Sequence, residues 1–97
     1  MPPDLKTAYD VIDMYAERHL EKPDETMTKS RFRLCSQQMQ AVDILKSHLK
    51  AHWFEAPASD IIYNFVKEHH RRMLKSKSDS YERVIYLVSK EIFYYFV

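Results

Sequence analysis

Ninety-seven residues, 45% apolar and 30% charged, fit one globular domain and exclude an intrinsically disordered chain. Fifteen Lys and Arg stand against fourteen Asp and Glu, for a net charge of +1 and a sequence pI of 7.9, below the strongly basic range of a dedicated nucleic-acid domain. Glycine is absent, which removes phosphate-binding loops, the dinucleotide fingerprint and tight primed hairpins; the lone Cys35 rules out an internal disulfide and a cysteine-based metal site.

Four amphipathic segments follow, separated by proline and polar breaks, so the expected fold is all-α. Pro2 and Pro3 ahead of Asp4 read as a helix entry, because proline lacks only a donor that the first turn leaves unpaired anyway. Leu5, Ala8, Tyr9, Ile12, Tyr15, Ala16, His19 and Leu20 then recur at three and four, predicting a helix over 4–21. Pro23 stops it, since it removes a donor and biases its predecessor away from helix.

The second helix is expected to begin between Thr28 and Ser30 and to span about 30–54, with Leu34, Cys35, Gln38, Val42, Leu45, Leu49 and Trp53 on its apolar side. Lys46 sits at the margin of that stripe, where its methylenes can lie along apolar surface. Pro57 marks the next break. A third helix over 59–75 takes either Ser59 as its N-cap or Pro57 as its first residue, and buries Ile61, Ile62, Phe65, Val66, His69 and Met73.

Asp79 and Glu82 have capping-box spacing, predicting a fourth helix over 79–96. Tyr81, Val84, Ile85, Val88, Ile92, Tyr95 and Phe96 form its core stripe. The back of the same helix carries Tyr86, Phe93, Tyr94 and Val97, and a helix apolar all round is normally covered all round. The expected architecture is therefore a small four-helix domain with a central, largely buried C-terminal helix. Tyr86, Phe93, Tyr94 and Val97 are the expected self-association residues of a homodimer, because aromatic side chains concentrate at interface centres and closed two-fold dimers are the commonest assembly.

Charge is unevenly placed. Residues 1–28 hold three basic against seven acidic residues, 29–52 hold five against one, and 60–77 hold five against two. In the last of these, Lys67, Arg71 and Lys75 fall at spacings of four and make one column, flanked by Arg72 and followed by Lys77. Such a face suits a protein partner with an acidic surface. The alternative is nucleic acid: a small DNA-binding regulator that places the third helix on duplex DNA.

The spacing of His48 and His52 puts two imidazoles on one side of a helix, but a structural zinc takes four ligands and Cys35, His69 and His70 have no matching spacing. They read as boundary histidines of the core, and no metal is expected. No nucleophile and base fall into a recognisable catalytic spacing, and a chain this short leaves little room for a cavity of several hundred cubic ångströms. The expected function is a non-enzymatic interaction or regulatory module, with no catalytic residue, cofactor or small-molecule substrate. No apolar run approaches the ~20 residues of a membrane span and no signal-like segment opens the chain, so the expected location is intracellular, in cytoplasm, nucleoid or nucleus.

Overall fold

The computed structural model describes residues 3–76 and 80–97. It contains four α-helices: α1 (Pro3–His19), α2 (Lys29–His52), α3 (Ala58–Lys75) and α4 (Ser80–Phe93). The domain is all-α, and no described helix is long and apolar enough to cross a membrane. The Asp79 half of the capping box and the Lys77 end of the basic column lie outside the described residues.

Every connection among the described residues is made without a residue in the left-handed region, which is how a chain without glycine avoids steric penalty. Asp24 organises the first loop: its side chain accepts from the Thr26 N–H at 3.1 Å and its carbonyl from the Met27 N–H at 3.0 Å. Thr28 then caps α2, accepting from the Arg31 N–H at 3.3 Å. At α3 the cap is Pro57, extended at φ −57° and ψ 149°, whose carbonyl accepts from Asp60 and Ile61. Ser59 is already inside the helix, and Pro57 stands one position before its first residue.

Three helix ends come earlier than periodicity predicts: α1 already stops at His19, with the Leu20 N–H bonded to the Ala16 carbonyl at 2.9 Å. α2 stops at His52 in a turn closed by Glu55 N–H to His52 carbonyl, 2.9 Å. α4 gives way after Phe93 to bonds from Tyr94, Tyr95 and Phe96 to carbonyls three residues back. A run of bulky aromatics is a poor helix former, and the tighter turn satisfies carbonyls that the helix end leaves open.

One core draws on all four helices: Leu5, Ala8, Ile12 and Tyr15 of α1; Ala41, Val42, Leu45 and Leu49 of α2; Ile61, Ile62 and Phe65 of α3; Ile85, Val88 and Ile92 of α4. Burying these side chains drives the fold, at about 1.5–3 kcal/mol for each large one. Lys46 joins α1 to α2 as a snorkelling residue: its ammonium reaches Asp13 at 2.8 Å and stands 4.9 Å from the Tyr9 ring, while the Tyr9 hydroxyl donates to the Lys46 carbonyl at 2.9 Å. Among the described residues no buried side-chain polar atom lacks a partner.

Several expectations about burial change: Val66 and Met73 of α3 are only half-buried, and His19 of α1 is exposed. Leu34 is exposed, because burial on the 24-residue α2 starts only at Cys35, beyond the reach of its shorter neighbours. Tyr95 is exposed too, since the tightened turn after Phe93 rotates it off the core stripe. And α4 is not covered all round. It packs on both α2 and α3, yet Arg83, Leu87, Glu91 and Tyr94 face out.

Candidate interaction surface

The outward side of α4 is where the sequence-derived self-association residues fall, and α3 divides them into two pairs. Tyr86 is half-buried, stacked on His70 with centroids 4.7 Å apart and planes 25° apart, and Lys90 stands 5.6 Å from its ring. Phe93 is half-buried against Tyr63 at 5.7 Å, and Tyr63 in turn lies 5.5 Å from the Lys67 ammonium. Tyr94 and Val97 remain 61% and 78% exposed. Leu87, outside the sequence-derived set, is 46% exposed one helical step from Tyr86. It is the one leucine on the back of the helix, and a wheel drawn for α4 already shows it there.

The basic side of α3 is exposed at Lys67, Arg71, Arg72 and Lys75. Its charge is partly spent within the helix. Arg71 and Arg72 converge on Glu68, the latter at 3.3 Å, and Arg72 also lies 4.0 Å from Glu82. The Arg71 hydrogen bond, with Arg72 beside it, holds the Glu68 carboxyl below the ordinary carboxylate range. The structure thus brings Lys67 to the aromatic face through Tyr63 and leaves Arg71 and Arg72 in a local carboxylate network.

Three of the histidines make a string with Phe65. His52 and His48 lie 4.4 Å apart, His48 packs on Phe65 at 5.0 Å, and Phe65 on His69 at 4.3 Å. Carboxylates close both ends: Glu55 is 2.9 Å from His52 Nδ1, and Glu82 is 2.7 Å from the Nδ1 of the buried His69. Among the described residues no three His, Cys, Asp or Glu side chains are grouped to hold a metal.

Burial lowers the His48 pKa from its ordinary 6.5, and the neighbouring His52 and His69 lower it further. The unfolded chain therefore takes up that proton first, so folded-state stability falls as pH drops from about 6.5 through the lower His48 value. His48→Gln is expected to flatten this acid limb. Thermal melts of both proteins between pH 8 and pH 5 check it, and parallel curves would remove His48 from the account.

Contrary to what the chain length predicts, the surface carries openings of several hundred cubic ångströms, and two of them involve the C-terminal turn. A groove of about 680 Å³ lies between the start of α1, the α2–α3 break and the C-terminal turn, with Trp53 and Phe96 in its wall and small Ala8, Ala56 and Ala58 making the space. A second, of about 270 Å³, is lined by Tyr15, His19, Glu91, Tyr94 and Tyr95. There the buried Tyr15 hydroxyl donates to Glu91, and His19 Nε2 meets the Tyr95 hydroxyl at 2.7 Å. These bonds tie α1 to the end of α4.

Compared with protein-family models, curated proteins and solved structures, the chain matches none.

Proposed function

We propose that this chain is a non-enzymatic helical interaction or regulatory module that forms a homodimer through the outward side of α4. The observation that carries the reading is that Leu87 on the outward side of α4, and Tyr94 and Val97 past its end, are all exposed large apolar or aromatic side chains. Exposed large apolar side chains suit a binding surface, and the aromatic members supply most of the contact area. Phe93 and Tyr86 border it and hold its shape against α3. The exposed Lys67 and Lys75, with Arg71 and Arg72 shared with Glu68, form the face offered to a protein partner with an acidic surface.

Sedimentation equilibrium over a range of concentrations tests the self-association. Tyr94→Asp is expected to raise the dimer dissociation constant by about tenfold or more while leaving the helical signal and melting temperature of the monomer close to the parent's, because Tyr94 is outside the core. Phe93→Asp is the poorer probe, since Phe93 also packs on this chain's own core. An unchanged dimer in Tyr94→Asp would move the surface elsewhere.

A small DNA-binding regulator using α3 is the alternative. It requires duplex affinity that falls steeply with salt, and the sharing of Glu68 by Arg71 and Arg72 leaves it fewer cations for phosphates.

A further inference from the structure

We infer that the dimer is parallel, with two copies of α4 lying side by side about a two-fold axis along their length. This rests on the self-association proposed above and adds its geometry. At 100° per residue each side chain of α4 has a fixed angular position around the helix. Leu87 and Tyr94, the latter one residue past the end of α4, fall within about 20° of each other when the helix is continued and define the centre line of the outward side. Lys90 and Glu91 lie between them in sequence and about 50° to either side of that line. The outward side thus has apolar Leu87 and Tyr94 on its centre line, the cations Arg83 and Lys90 along one flank, about 30° and 50° from that line, and the anion Glu91 along the other.

Helix orientation decides which flanks meet. In a two-fold antiparallel pair each flank faces its own copy, so Lys90 would meet Lys90 of the partner subunit and Glu91 would meet Glu91 of the partner subunit. In a two-fold parallel pair opposite flanks meet. Lys90 then reaches Glu91 of the partner subunit, and the symmetry repeats the pair on the other side. The parallel seam sets Leu87 on the partner's Leu87 and Tyr94 on the partner's Tyr94. Within the chain Lys90 stands near its own Tyr86 ring, and the exposed Glu91 accepts from the Tyr15 hydroxyl through one oxygen. Like charges facing each other across an interface discriminate against the wrong arrangement.

The experiment uses the full chain and three variants, Lys90→Glu, Glu91→Lys and the double exchange, followed by sedimentation equilibrium. Each single reversal is expected to weaken the dimer by about tenfold or more, and the double exchange is expected to restore it, because the pairs are re-formed with exchanged signs. The double variant also shares the loss of the Tyr15–Glu91 bond with Glu91→Lys, so recovery cannot come from the fold. A second readout is independent of charge. Leu87→Cys in a Cys35→Ala background is expected to oxidise to a disulfide-linked dimer, since the two residues face each other across the axis; in an antiparallel pair centred between residues 90 and 91 they lie about 10 Å apart along the helices. Single reversals that leave the dimer unchanged, a double exchange that stays dissociated, or failure of the Leu87→Cys variant to cross-link each overturn the parallel arrangement while self-association stands. A parent chain that is monomeric at every concentration overturns both.

Discussion

Replacing Phe65 with alanine is expected to lower the unfolding free energy by about 3–5 kcal/mol, a large share of the ~5–15 kcal/mol of a small domain. The side chain is 4% exposed and sits between His48 of α2 and His69 of α3, at 5.0 and 4.3 Å. Its removal leaves a cavity bounded by two imidazoles, which lose their apolar contact and gain no new partner. The surroundings have little freedom to collapse into the space, because His69 is pinned to Glu82 and His52, packed at a tilt on His48, to Glu55. Urea unfolding followed by circular dichroism measures the effect as a lower midpoint at unchanged slope. A loss under about 1 kcal/mol, the size of an average substitution, would mean that the α2–α3 seam is not packed as described.

The second large effect is expected at Tyr15, where two substitutions separate the ring from the hydroxyl. The residue is 2% exposed, its ring lies 5.1 Å from His19 and 5.7 Å from Tyr95, and its hydroxyl donates to Glu91. Tyr15→Ala removes ring and bond together and is expected to cost about 3–5 kcal/mol. Tyr15→Phe keeps the ring and is expected to cost only about 1 kcal/mol, because the exposed Glu91 carboxylate regains water in place of the lost donor. Equal losses in the two variants would show that the bond rather than the packing ties α1 to the end of α4. Burial, then the hydrogen bond to Glu91, raises the Tyr15 pKa above the ordinary 10.0. The stabilisation from the protonated hydroxyl is complete below pH 10 and is lost as pH climbs from there through the raised value, so Tyr15→Phe is also expected to have the shallower alkaline limb.

The four helices and most of their inward faces are written in local pattern. Ile12, Leu45, Ile62 and Ile92 recur with helical spacing, are fully buried, and needed no knowledge of a neighbour to be identified. The breaks at Pro23 and Pro57 were equally local, since proline acts on its own backbone and its predecessor. The dilution of the basic column was legible as well, because Glu68 lies three and four residues from Arg71 and Arg72, within one helical turn.

What local pattern does not contain is which helix reaches which face. A wheel drawn for α4 alone places Tyr86 and Phe93 on its back, yet His70 and Tyr63 of α3 cover them in part, and Leu87, Tyr94 and Val97 are the members left outside. The same wheel puts Tyr95 in the core at 100° per residue, whereas the three-residue bonds after Phe93 turn it outward to His19. His69 read as an apolar-face residue and is buried, but its carboxylate partner lies thirteen residues away on another helix. Sequence by itself determined the elements and their buried stripes, because backbone geometry and side-chain spacing act within a few residues. The tertiary structure alone decided the pairing of faces, the cover over α4 and the partners of buried polar groups, because those depend on distances between helices that no spacing along the chain encodes.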